Sequence, residues 1–118
     1  MSDELRLGVV LSFSKGGAGI PKSYHIEVDV AGDAYESAVQ KVGTDEEQIA
    51  QGADLDIPGY VLAKNLDITN YVEIGSTTGV YDIKLLAGEI ALWHHNSATI
   101  YARANAASCN VEYTIIEL

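Results

Sequence analysis

Apolar residues occupy every second position near the start of the chain: Leu5, Leu7, Val9, Leu11 and Phe13. Successive side chains of a strand point to opposite faces, so this run predicts a strand with one apolar face. Lys15-Gly16-Gly17-Ala18-Gly19 breaks it with a flexible loop. Tyr24, Ile26, Val28 and Val30 alternate next, with His25, Glu27 and Asp29 on the opposite face. Ala31-Gly32-Asp33 reads as a turn, and Tyr35 to Val42 as the returning partner strand.

The pattern lapses from Gly43 to Asp56. Thr44-Asp45-Glu46-Glu47 has the form of a helix start, with Thr44 as cap and Glu47 three residues on. The segment is too short and polar for a stable helix. It is expected to be a long connection between two sheets, pinned to the core by Ile49 and Leu55. Pro58-Gly59 signals a tight turn. Short strands then follow closely: Tyr60 to Asn65, Tyr71 to Gly75, Val80 to Leu85, Ile90 to His94, Thr99 to Ala104 and Val111 to Leu118. Gly75-Ser76-Thr77-Thr78-Gly79 reads as a hairpin tip and Ala87-Gly88-Glu89 as a further turn. About eight strands at regular spacing, with no sustained helical period, predict an all-β antiparallel β-sandwich, jelly-roll-like in strand count. A parallel α/β fold needs a helix between its strands and is not expected. The last strand ends Ile115-Ile116-Glu117-Leu118, apolar on both faces. That predicts burial on both sides or cover from a neighbouring subunit, since a bare edge would aggregate.

At 118 residues the chain is the size of one domain, and we expect a single sandwich over 1–118. A chain of this length buries roughly two-thirds of its unfolded surface and needs no metal or disulfide to fold. The net charge is −10, from 17 acidic and 7 basic residues. Such a surface repels phosphate backbones, which argues against direct nucleic-acid binding. It suits solubility, or docking on a basic partner. The start Met1-Ser2-Asp3-Glu4 lacks the basic end and apolar block of a leader peptide. No apolar run approaches the ~18 residues of a membrane span. A protein made in a cytoplasm, with no membrane partner, is expected.

Chemistry is sparse. The single cysteine, Cys109, reads as a small buried hydrophobe. His94 and His95 are adjacent, so on a strand they point apart and cannot chelate one metal together. Trp93-His94-His95-Asn96-Ser97 reads as a wet hairpin tip. Asp54 and Asp56 form an acid pair on a solvated loop, with too few converging groups for a cation site. The glycine run Gly16 to Gly19 lacks the lysine and helix of a phosphate loop. No nucleophile elbow is present. No catalytic, cofactor or metal residue is assigned, and an enzyme is the least favoured class. The seven tyrosines and Trp93 fall mostly within strands, where core packing accounts for them. A glycan platform built on exposed aromatics is the rival reading.

Three segments carry a resemblance. They are Gly59 to Gly75 (GYVLAKNLDITNYVEIG), Lys84 to Glu89 (KLLAGE) and Ile100 to Asn105 (IYARAN). With Val42-Gly43-Thr44-Asp45-Glu46-Glu47 upstream, they resemble a group of small proteins encoded among the virion structural genes of tailed bacteriophages. The resemblance covers about the last two-thirds of the chain. It implies a virion part made in a host cytoplasm. The first expectation is a capsid decoration (cement) protein that bridges capsid subunits. Its partners would be the major capsid protein or other virion proteins, and sister copies, a trimer being favoured. A tail or connector component is the alternative. The residues themselves look like turn-setting positions: Asn65, Asp67 and Asn70 through local side-chain bonds, Gly75 and Gly88 through backbone freedom. The first strand, hinged at Gly16 to Gly19, could exchange into a neighbour.

Overall fold

Ten strands and no helix make up the described residues, 4–118 of this computed structural model. Met1, Ser2 and Asp3, which entered the reading of the chain's start, lie outside them. The chain divides into two compact units, one ending at Ala31 and one spanning Gly32–Leu118.

The first unit is a β-hairpin. Strand β1 (Leu5–Lys15) pairs antiparallel with β2 (Ala18–Val28), from Leu5 opposite Val28 to Lys15 opposite Ala18. Gly16 (φ +61°) and Gly17 (φ +83°) form the whole turn. Two left-handed residues give the turn a twist that matches paired strands, and glycine adopts them without a Cβ penalty. The expected flexible loop is therefore a two-residue turn. The partner assignment also changes: β2 pairs with β1 and not with Tyr35–Val42. The backbone N–H of Val30 donates to a Glu4 carboxylate oxygen at 3.1 Å, tying the open end of the hairpin.

The second unit holds β3 (Tyr35–Val42), β4 (Glu47–Gln48), β5 (Pro58–Asn65), β6 (Val72–Gly75), β7 (Ile83–Leu85), β8 (Ile90–His94), β9 (Tyr101–Ala104) and β10 (Cys109–Glu117). They form two four-stranded antiparallel sheets, in the orders β3-β10-β5-β8 and β4-β9-β6-β7. The pairs are first with last: β3 with β10, β4 with β9, β5 with β8, β6 with β7. One long hairpin of eight strands, folded over so that alternate pairs fall in opposite sheets, generates this order. A jelly roll requires the same pairing.

Alternation positions the core between the sheets. Val61 and Ala63 of β5 and Val111, Tyr113 and Ile115 of β10 face inward, against Val72 and Ile74 of β6 and Ile100 and Ala102 at β9. Ile49 and Leu55 are buried as expected and anchor the connection after β3. Thr44 caps no helix. Instead Glu47 accepts the Gly43 N–H at 2.9 Å, and Gln40 bonds Glu47, the Gln48 carbonyl and the Ala50 N–H. The chain is thereby steered into β4, a strand the sequence pattern does not show.

Pro58-Gly59 is a strand start and not a turn. Pro58 sits at a β-bulge opposite Glu117, where a missing N–H is tolerated. A Cβ on Gly59 would meet the Ile116 carbonyl and the Leu118 side chain. The last strand, β10, is central, between β3 and β5, so no bare edge there calls for a neighbour. Its apolar ending follows from core burial of Ile115 and from the outer-face flanks of Ile116, which lies opposite Tyr35 and Tyr60.

Candidate interaction surfaces

At one end of the second unit, the indole N–H of Trp93 donates to Nδ1 of His95 at 2.9 Å. An accepting Nδ1 leaves the ring proton on Nε2, which reaches the Thr99 carbonyl at 2.7 Å. His95 is only 8% exposed, so the expected wet tip is dry at this residue. Both its nitrogens are committed, and it has none left to activate the nearby Ser97 hydroxyl. Trp93 packs its ring against the core. His94 points the other way, exposed, and stacks on Tyr60 at 4.6 Å between centroids.

The turn residues behave as their chemistry suggests. Asn65 is fully buried, and its amide nitrogen donates to the carbonyls of Asn70, Leu85 and Leu86 at 2.9, 3.1 and 3.3 Å. Its side-chain oxygen accepts the Asp67 N–H at 3.0 Å. Asp67 in turn accepts the Thr69 and Asn70 N–H groups. Those bonds hold its carboxyl below the usual carboxylate range. Asn105 accepts the Tyr71 N–H at 2.8 Å. Gly88 takes the left-handed φ (+79°), while Gly75 is needed for space: a Cβ there would collide with the Val80 carbonyl.

Burial pushes the Cys109 thiol up, with the Asp67 charge adding to it, and leaves it unreactive. Asp54 and Asp56 are exposed. No three His, Cys, Asp or Glu side chains converge as a metal site among the described residues. No helix among them is long and apolar enough to cross a membrane.

The outer faces of the two sheets differ. On the β4-β9-β6-β7 sheet, charges neutralise one another. Arg103 bonds Glu73 at 3.1 Å and lies over the Tyr81 ring, and Lys84 lies over Tyr71. Glu46 accepts the Tyr81 hydroxyl and the Gly79 N–H. That face is finished for contact with water.

The outer face of β3-β10-β5-β8 is not. Register sets its rows: Tyr35, Ile116, Tyr60 and His94, then Ser37, Thr114, Leu62 and Leu92. The next row is Val39, Glu112, Lys64 and Ile90, in which the single acid stands opposite the single base. The Ser37 and Thr114 hydroxyls bond each other at 3.0 Å, so even the polar pair presents little unmet demand. Tyr35, Val39, Leu62 and Ile90 are 68, 55, 47 and 67% exposed. A depression of about 370 Å³, bounded by Leu62, Ile90 and Thr114, interrupts the face. A solvated antiparallel face is ordinarily polar, so an apolar one marks a contact surface.

The hairpin has a second such face. Leu5, Leu7, Val9, Leu11 and Phe13 stand opposite Val28, Ile26, Tyr24, Lys22 and Ile20. Among these ten only Lys22 is charged, and Lys15 follows Phe13 on the same face. The other face carries Arg6 opposite Glu27, Gly8 opposite His25, Val10 opposite Ser23 and Ser12 opposite Pro21. Alternation calls for burial of the first face. Yet Leu11, Phe13 and Tyr24 are 59, 51 and 62% exposed.

No family model, curated protein or solved structure matches the chain. The functional reading therefore rests on the surfaces themselves and on the resemblance described above.

Proposed function

We propose that this protein is a virion structural component of a tailed bacteriophage, a capsid decoration (cement) protein that bridges neighbouring capsid subunits as a homo-oligomer, a trimer being favoured. The observation that carries the reading is the pair of unburied apolar β faces in a chain whose polar side chains are spent on turns. Asn65, Asp67, Asn105 and His95 all bond to their own scaffold. A part whose task is to hold a shape and adhere needs such a scaffold and no active site. A jelly-roll fold suits that role but also serves lectins and cupins, so the fold does not choose among them. The segments Gly59 to Gly75, Lys84 to Glu89 and Ile100 to Asn105 supply the phage context through their resemblance to virion proteins. The acidic loops would dock on the shell, while many copies multiply a modest area per contact.

The test adds purified protein to capsids that lack it and counts bound copies. Near-lattice stoichiometry supports decoration. A handful of copies per particle supports the tail or connector alternative. No binding to any particle intermediate overturns the virion reading.

A further inference from the structure

We propose that the apolar face of the β1–β2 hairpin is covered by a second copy of this chain, lying on the outer face of that copy's β3-β10-β5-β8 sheet. The inference extends the self-assembly half of the proposed function and does not depend on the particle half.

Neither surface is suited to stand alone in water. A two-stranded hairpin has no second layer to cover its apolar face, and isolated hairpins are marginal at best. This one nevertheless keeps one face apolar over five rows, from Leu5–Val28 to Phe13–Ile20, broken by Lys22 and matched on the other face by a single large apolar residue, Val10. Such a pattern is the signature of burial, yet Val9, Leu11, Phe13, Ile20, Tyr24 and Ile26 stay roughly half exposed or more. The sheet face on the second unit has the complementary defect. Its side chains are mostly apolar, Glu112 stands opposite Lys64, Lys41 at one end stands opposite Asn110, and its own unit lays nothing over Tyr35, Val39, Leu62 and Ile90.

The areas are commensurate. Eleven residues per strand make the hairpin roughly 37 Å long and about 10 Å wide, a footprint of about 400 Å². Four strands of up to nine residues give the sheet face about 500 Å². One hairpin-on-sheet contact thus removes about 800 Å² from water, and a reciprocal exchange about 1,600 Å², the size of a standard specific interface. The depression beside Leu62 and Ile90 gives such a contact an anchor point, and the hairpin offers the large rings of Phe13 and Tyr24 from its face.

Charge permits the approach. The first unit carries Arg6, Lys15 and Lys22 against Asp3, Glu4, Glu27 and Asp29, so it is close to neutral. The second unit carries Lys41, Lys64, Lys84 and Arg103 against thirteen of the chain's 17 acids. Two second units repel each other strongly at neutral pH, whereas a near-neutral hairpin unit meets a second unit with little repulsion. Hairpin-on-sheet contact is therefore favoured over sheet-on-sheet contact. Because donor and acceptor patches differ, the contact closes either as a two-fold pair that makes it twice or, head to tail, as a ring.

The test uses full-length protein with two single substitutions, Phe13→Cys and Leu62→Cys, made in differently tagged copies and co-expressed. Cys109 stays in place, since its buried thiol reacts slowly. A short bismaleimide is added and products are read by mass under reducing conditions. The Phe13→Cys copy should join the Leu62→Cys copy at least about tenfold more than either joins itself. Predominant joining of Phe13→Cys copies to each other would overturn the inference in favour of hairpin-on-hairpin contact. So would a wild-type protein that sediments as a monomer at micromolar concentration and gives no joined product. As a second arm, Phe13→Lys and Leu62→Glu should each lower the apparent association constant about tenfold or more. Both should leave Trp93 fluorescence unchanged, because neither residue belongs to the core. Unchanged association in either variant counts against the contact. Failure to bind capsids leaves the inference intact, whereas failure to cross-link overturns it and leaves the particle reading to its own test.

Discussion

Tyr113, at the centre of the β3-β10-β5-β8 sheet, donates its hydroxyl to the Ala50 carbonyl at 2.7 Å. A side chain on one sheet thus holds the connection that carries the chain away from the other. Burial pushes this phenol up from its usual range, with the Glu36 charge adding to the shift. Removing the hydroxyl strands a carbonyl without a large loss of packing. Tyr113→Phe should therefore cost about 1 kcal/mol in urea denaturation, within the range for one net hydrogen bond.

The alkaline limb follows from the same residue and from Tyr81, whose phenol is raised by burial and by the Glu46 carboxylate. A raised folded-state value means that the folded form holds its proton while the unfolded chain releases it near pH ~10. The associated stability is complete below pH ~10 and is lost as pH rises through the folded values. Denaturation midpoints should fall above pH ~10 in the wild type, and less steeply in Tyr113→Phe.

The acid limb has the opposite sign. Asp67 is lowered by the N–H bonds from Asn70 and Thr69, and Glu46 by the Tyr81 hydroxyl and the Gly79 N–H. Their contribution is present above the unfolded carboxylate values, near pH ~4, and lost as pH falls through the depressed ones. Asp67→Asn keeps an accepting oxygen but does not titrate. Its stability should change less between pH ~5 and pH ~3 than that of the wild type, as thermal melts across that window would reveal.

Asn65 tests the turn cluster from within. Its amide faces three carbonyls, so Asn65→Asp would turn an acceptor toward acceptors in a fully buried place. The expected loss is about 3 kcal/mol or more, against about 1–3 kcal/mol for Asn65→Ala. If the aspartate variant proves the milder of the two, the donor role assigned to Asn65 is wrong.

Trp93 is the chain's one tryptophan and reports on its own bond. His95→Ala should free the indole N–H and the Thr99 carbonyl, shift the emission to the red and cost about 1–3 kcal/mol. Glycan arrays probed with wild-type protein should show no signal that depends on this ring, because it is partly buried and packs against the core.

Much of the fold is legible in the sequence because strand alternation is a local property. The inward sets Val61 and Ala63, and Val111, Tyr113 and Ile115, follow from the period of two alone. Asn65 and Asp67 can be read as turn residues because their side chains reach backbone groups within a few positions, the N–H and carbonyl of Asn70 among them. Partnership is not legible. Tyr24–Val28 pairs backward with β1 because Gly16 and Gly17 close a two-residue turn, and the pattern permits either neighbour. Strand β4 is invisible to the pattern, since two residues show no period. It exists through the Gln40 and Glu47 bonds, which join residues up to ten positions apart.

The acidic, all-β character of this protein was set by composition and alternation, which act residue by residue. Which apolar faces become core and which stay bare was decided only by tertiary structure. Val61 of β5 and Phe13 of the hairpin obey the same alternation rule, yet Val61 is 2% exposed and Phe13 51%. The difference is whether a second layer lies opposite, and that depends on how distant strands pair. The first-with-last pairing of eight strands supplies such a layer for β5. The two-stranded unit that holds Phe13 supplies none of its own.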